Sequence, residues 1–412
     1  MIIILLLMLL CNTFSSASPS SSLPLPTTTK TSYDTDRIHM NRAITLASQA
    51  LGHTSPNPCV GCVIVDKNDN VVGEGYHHKA GQPHAEVLAL NQAGERANGS
   101  TAYVSLEPCN HYGRTPPCTL ALINHGIARV VVGMVDPDPR VSGSGVIFLK
   151  DHNIDVDVGI EVEKCESLNR PFIHRVLNKR PLSIAWACLT QSENFPDCLN
   201  SELRRIDIVA SQLTTITPEI DSIIFHIDDF IKFPPNVLKL LPSHVTVIIL
   251  ETKGKRDVCD KAIERIYVED DLAARNWYVF VLDNHLTSTR DNVRLLPAAT
   301  KINDFGNYFT SLLTGEMLQK LASLGSNAIL IIVKSLEELR DLKRNEALQK
   351  VIFSSMESSG GEKSQHSLYK AATKVVATLM DHVNGEQEPI LEVRDNNDIR
   401  KMPIFSFNFW KK

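Results

Sequence analysis

Charge of one sign is what this 412-residue chain has least of: 42 Lys and Arg stand against 47 Asp and Glu, for a formal net charge of −5. A protein that tracks nucleic-acid phosphates needs a basic field, and a balance spread this thinly supplies none. No basic face interleaved with aromatic residues is present either, so no nucleic-acid partner is expected. A small-molecule partner fits better. Long apolar runs are missing too, because Met1–Leu10 is too short to cross a bilayer, and no membrane partner is expected of the mature chain. Nine cysteines, an odd number at irregular spacing, make no disulfide framework, and several sit in apolar runs where Cys behaves as a small hydrophobe. A reducing compartment follows.

The amino end lacks two further things: the basic n-region of a secretory signal, and any acidic residue before Asp34. What it has is Ser/Thr/Pro-rich sequence to about Ser32, with Ser16-Ala17-Ser18 as a cleavage region. Residues 1–33 therefore read as a targeting segment, with a transit peptide to the plastid stroma preferred. A secretory leader is the alternative, and it would expose the Asn98-Gly99-Ser100 sequon to glycosylation.

From residue 36 onward the periodicity is informative. Asp36–Leu51 places Ile38, Ala43, Ile44, Leu46, Ala47 and Ala50 near a 3.6-residue repeat behind an Asp cap, which predicts a helix. Cys59–Val65 and Val71–Tyr76 predict a hairpin around the polar Asp66–Asn70 turn, with a central first strand. Helices are then expected at His84–Ala93, Cys118–His125 and Val146–Asp151, alternating with strands at Ala102–Leu106, Arg129–Met134 and Asp155–Val158. This alternation after a hairpin predicts an α/β sandwich over a mixed sheet. A boundary is placed at Arg180-Pro181, giving one domain over residues 34–181 and a second over 182–412. The second half also reads as α/β, with apolar runs at Val245–Leu250, Trp277–Leu282 and Ala328–Val333 and helices at Glu316–Leu324 and Leu336–Gln349.

The chemistry concentrates in the first half. His84-Ala85-Glu86, then Pro108-Cys109, then Cys118, supply one imidazole and two thiolates, which with a water complete a tetrahedral zinc site with one open position. An open position is the catalytic form. Glu86, two residues beyond the histidine, can lie beside a metal-bound water without ligating it and so can carry protons. A zinc-activated hydroxide attacking a carbon that bears an amino group, with a carboxylate delivering the proton to the leaving nitrogen, is hydrolytic deamination. His53, His125 and His152 have no comparable context.

The spacing departs from the commonest deaminase pattern, Pro-Cys-x-x-Cys, because eight residues separate Cys109 from Cys118. Ser-Pro-Asn-Pro-Cys-Val-Gly-Cys at 55–62, Ala-Gly-Gln-Pro-His-Ala-Glu at 80–86, Leu-Glu-Pro-Cys-Asn-His-Tyr-Gly-Arg-Thr-Pro-Pro-Cys at 106–118 and Met134-Val135-Asp136-Pro137 together resemble the pyrimidine deaminase of riboflavin biosynthesis. The resemblance covers roughly residues 37–181. It implies a cytidine-deaminase-like fold, Zn2+ as cofactor, and removal of the 2-amino group of 2,5-diamino-6-ribosylamino-4(3H)-pyrimidinone 5′-phosphate. It further implies Asn57, His77, His111 and Arg114 as substrate contacts. Asn suits a base edge and Arg a phosphate, while Asn57 between prolines also reads as a turn residue and His77 beside His78 as a solvated pair. A homo-oligomer is left open.

In bifunctional members of that family a nicotinamide-dependent reductase follows. Where that reductase has a Lys and then Ser-x-Asp-Gly, this chain reads Trp186 and then Thr190-Gln191-Ser192-Glu193; where it has a Glu-Gly-Gly turn, this chain reads Ile332-Val333-Lys334. Bulky residues in place of glycine close the backbone's approach to phosphate. The second half is thus expected to be a degenerate, catalytically silent reductase-like α/β domain, similar to that of the plant monofunctional deaminases, with no bound nicotinamide.

Overall fold

The structure, a computed structural model, describes residues 32–113 and 116–189 and, beyond them, 220–232, 241–250, 261–262, 264, 277–281, 293–297, 313, 315–333, 336–344, 347–355 and 390–394. The chain divides into two compact units, Met1–Thr35 and Asp36–Lys412, and of the first only residues 32–35 are described.

Helix α1 (Ser32–Ser48) starts before the expected Asp cap. Asp36 does not cap it. Its carboxylate is buried and accepts hydrogen bonds from Arg129 Nη1 and Nη2 at 2.9 and 2.8 Å and from Tyr103 Oη at 2.9 Å, which makes it an interior anchor for the helix. Met40, Ala43 and Ala47 supply the buried stripe, while Ile38, expected on it, faces solvent.

Strand β1 (Gly61–Val65) pairs antiparallel with β2 (Val71–Tyr76) and with β3 (Thr101–Leu106). Strands β4 (Arg129–Met134) and β5 (Asp155–Val158) then add in parallel, completing a mixed five-stranded sheet in the order β2-β1-β3-β4-β5. All five residues of β1 are buried, as a strand covered on both faces requires. Glycines permit the covering. A Cβ on Gly73 or Gly75 would lie 2.1 or 2.6 Å from the carbonyl oxygens of Ala89 and Ala85, so α2 (Ala85–Ala93) lies directly on β2. A Cβ on Gly61 would lie 2.0 Å from the Ala43 carbonyl oxygen. Gly75 stands opposite Cys62, one residue along from Gly61, so α1 and α2 occupy opposite faces and the sheet is the middle of three layers. Helices α3 (Cys118–Asn124), α4 (Ser144–Asp151), α5 (Val162–Leu168) and α6 (Arg170–Asn178) complete this part.

A second sheet opens at β6 (Leu182–Leu189) and takes in β7 (Ser222–His226), β8 (Thr246–Leu250), β9 (Trp277–Val281), β10 (Val293–Pro297), β11 (Ala328–Val333), β12 (Lys350–Ser355) and β13 (Ile390–Arg394). Its order is β10-β9-β8-β7-β11-β6-β12-β13 and every pairing among the described residues is parallel. Helices α7 (Ile227–Lys232), α8 (Gly315–Ser323) and α9 (Leu336–Arg344) belong with it. Helix α9 is shorter than the expected Leu336–Gln349. The chain leaves it so that the Gln349 side-chain oxygen can accept from the Ser183 backbone N–H at 2.9 Å, one residue before β12. The backbones of Trp186 and Ile332 pair in register on β6 and β11, while Thr190–Glu193 and Lys334 lie outside the described residues.

Candidate metal centre

Two helix starts and one strand end converge on a single point. His84 is the residue before α2, Glu86 sits in that helix's first turn, Cys118 opens α3, and Cys109 follows β3 by three residues. His84 Nδ1 lies 3.2 Å from Cys118 Sγ and 3.6 Å from Cys109 Sγ, and the three donor atoms all lie within 4.8 Å of one another. The Cys118 backbone N–H points at Cys109 Sγ over 3.4 Å. Cys109 is held as a thiolate down to about 4, chiefly by the hydrogen bond from the Cys118 thiol; burial opposes this and His84 assists. The Cys118 thiol is pushed far upward by the same bond and by burial, so the pair shares one proton and Cys109 ionises first.

Glu86 is 3% exposed and its carboxyl is raised to about 7, by burial first and then by the charge of Cys109. A buried carboxyl that exchanges its proton near neutrality suits a proton carrier.

The donor set fits zinc. Bond lengths of about 2.0 Å to nitrogen and 2.3 Å to sulfur in a tetrahedral site place neighbouring ligand atoms about 3.5 Å apart, in line with the separations of 3.2 and 3.6 Å. Two thiols and one imidazole leave a fourth position, and His111 is solvent-exposed on the loop between the cysteines.

His77 is not part of a solvated pair: it is 2% exposed, and His78 alone faces solvent. The His77 ring lies edge-on to that of His84 at 5.4 Å. Its Nδ1–H donates to the Pro83 carbonyl at 3.1 Å and its Nε2 accepts from Asn57 Nδ2 at 3.0 Å, which is the neutral tautomer. Burial lowers its pKa and keeps it so. Asn57 and His77 thus stand together beside the cluster, whereas Arg114 lies outside the described residues.

Over residues 33–134 the chain matches the family described as cytidine and deoxycytidylate deaminase zinc-binding region. It is 60% identical over 146 residues to the Arabidopsis thaliana riboflavin biosynthesis protein PYRD, chloroplastic, a match that takes in 35% of this chain and 34% of that relative's length. The diaminohydroxyphosphoribosylamino-pyrimidine deaminase of Buchnera aphidicola subsp. Schizaphis graminum is 50% identical over 146 residues, 35% of this chain and 99% of that protein. The chain belongs to this deaminase family. Among solved structures, Acinetobacter baumannii RibD (form 2) superposes with a TM-score of 0.59 at 29% identity over 81% of this chain and 89% of that one. Among the described residues no helix is long and apolar enough to cross a membrane.

One residue of the family motif at 106–118 has a part that local pattern did not reveal. Glu107 is 6% exposed, and its carboxylate accepts four backbone N–H bonds, from Asp136 (3.0 Å), Gly143 (2.9 Å), Gly145 (2.8 Å) and Val146 (3.3 Å). It ties the start of α4 and the Met134–Asp136 turn to the strand end that carries Cys109. Gly145 is glycine for a related reason, since a Cβ there would sit 2.2 Å from the Pro108 carbonyl oxygen. An acidic residue directly after a buried strand was the available signal.

Proposed function

We propose that the chain catalyses hydrolytic deamination of 2,5-diamino-6-ribosylamino-4(3H)-pyrimidinone 5′-phosphate to 5-amino-6-ribosylaminouracil 5′-phosphate and ammonia, a step of riboflavin biosynthesis. The observation that carries this reading is the convergence of His84, Cys109 and Cys118 beside buried Glu86, in a chain half identical to a named deaminase over almost all of that relative's length. His84, Cys109 and Cys118 would hold Zn2+. When bound, the metal supplies Lewis-acid activation of water at neutral pH. Glu86 accepts the proton of the attacking water and returns it to the departing amine, a role that its carboxyl, poised at about 7, suits. Asn57, its amide group fixed by neutral His77, reads the edge of the pyrimidine, Arg114 on the loop between the cysteines meets the phosphate, and His77 and His111 are the remaining substrate contacts.

In this reading residues 34–181 form the deaminase domain, residues 182–412 form a silent reductase-like domain, and residues 1–33 direct the chain to the plastid stroma. The chloroplastic plant relative and the acid-free leader support the address. The rival reading is a bifunctional deaminase and NADPH-dependent reductase, favoured by the likeness to RibD, which runs well past residue 181. Incubating the purified chain with the diaminopyrimidinone phosphate, with and without NADPH, and identifying products by mass decides between them. The uracil product alone in both arms is expected. Its reduced ribityl derivative in the NADPH arm would establish the bifunctional enzyme, and unchanged substrate would refute both.

A further inference from the structure

The loop that carries Asn57 is held from outside its own half of the chain. Ser55 Oγ donates to Asp221 at 2.5 Å and accepts from Asn327 Nδ2 at 3.0 Å, across 166 and 272 residues of sequence. Asp221 precedes β7 and is 5% exposed; it also accepts the backbone N–H groups of Asn327 and Ala328 at 2.7 and 3.1 Å. Arg175, on α6, closes the ring from the other side. Its Nε donates to Asn327 Oδ1 at 2.5 Å and its Nη2 to the Pro56 carbonyl at 2.8 Å.

The next residue is Asn57. Its backbone N–H closes a turn onto the Thr54 carbonyl at 2.8 Å, and its side chain reaches His77 beside the His84 cluster. One short path therefore runs from the start of two second-sheet strands, through Ser55 and Pro56, to the group that faces the metal centre. A buried carboxylate is costly unless every acceptor site is used, and Asp221 is saturated by donors that include the loop itself. The end of the sheet matters as well. Parallel sheets bind ligands at the carboxyl ends of their strands, whereas Asp221 and Asn327 lie at the amino ends of β7 and β11. A second half that no longer served a cofactor would keep this edge intact.

We propose that the second half acts as a positioning element for the deaminase centre, with Ser55, Arg175, Asp221 and Asn327 as positioning residues that fix Asn57 for substrate. The proposal rests on the reading of Asn57 as a substrate contact. Its effect belongs in substrate binding rather than in the metal or the proton carrier, because neither His84 nor Glu86 takes part in the network.

The test uses the full chain and the variants Ser55→Ala, Asn327→Ala and Ser55→Thr, read three ways: zinc per chain, KM and kcat for the diaminopyrimidinone phosphate, and hydrogen exchange of residues 53–60. In both alanine variants exchange across 53–60 is expected to quicken about tenfold and KM to rise about tenfold, with zinc unchanged and kcat within about twofold. Ser55→Thr, which keeps the hydroxyl, should restore both. Faster exchange with an unchanged KM would mean that the network merely docks the two halves, and would overturn the proposal. Unchanged exchange, or loss of zinc together with the KM change, would overturn it too. A wild-type chain that binds zinc but never releases ammonia would sink the functional reading instead, and the exchange readout would still decide whether the network holds the loop.

Discussion

At Glu86 burial and the charge of Cys109 act in the same direction and outweigh His84, lifting a carboxyl to about 7 where it can both take and give a proton. At Cys109 hydrogen bonds win over burial and hold a thiolate ready for a metal. These opposite shifts within one cluster separate the roles, and paired substitutions should expose the difference. Glu86→Gln keeps shape and volume, so zinc measured by atomic absorption should stay near one per chain while turnover falls about a hundredfold or more. Cys118→Ser removes a soft ligand, and zinc, activity and thermal stability should fall together, because metal binding is coupled to folding of the loop that the two cysteines pin. Metal loss in the Glu86 variant would make that carboxylate a ligand, and full zinc in the serine variant would remove Cys118 from the site.

Single elements are held by buried carboxylates that collect many donors. Glu107 joins α4 and the turn after β4 to the end of β3; Glu107→Gln loses half its accepting capacity and places an NH2 group against backbone N–H donors. Urea titration should show a loss of about 2 kcal/mol or more, an outcome excluded if the midpoint does not move. Asp36 anchors α1 to β4 in the same way. Burial pushes its carboxyl up, but the hydrogen bonds from Arg129 and Tyr103 outweigh it, and the net pKa lies below the ordinary 3.8. A folded-state pKa below the unfolded one adds stability that is complete above the unfolded value and fades as pH falls towards the folded one. The stability gap between wild type and Arg129→Met should therefore be wide at about pH 7 and narrow at about pH 3, and a gap independent of pH would place the effect in packing alone.

Over the whole molecule, legibility tracked how local each cause was. Strands β4, β5 and β11 lie where the apolar pattern put them, because fully or half-buried strands need continuous or alternating apolar residues that period alone reveals. Strands β12 and β13, Lys-Val-Ile-Phe-Ser-Ser and Ile-Leu-Glu-Val-Arg, mix polar and apolar residues over too few positions to stand out, and the first begins one residue beyond the end of the expected helix. The His84, Cys109 and Cys118 cluster could be anticipated from residue chemistry and from spacing. The roles of Asp36, Glu107 and Ser55 could not, since each depends on partners 29 to 272 residues away that only the folded chain brings together. Whether the metal cluster drives the reaction is read by one titration: strip the full chain with chelator, restore Zn2+ stepwise, and follow ammonia release from the diaminopyrimidinone phosphate. No release is expected without metal, and the rate should rise linearly to a plateau at one zinc per chain. Ammonia released at full rate by the metal-free protein, or none at any zinc loading, would contradict that expectation.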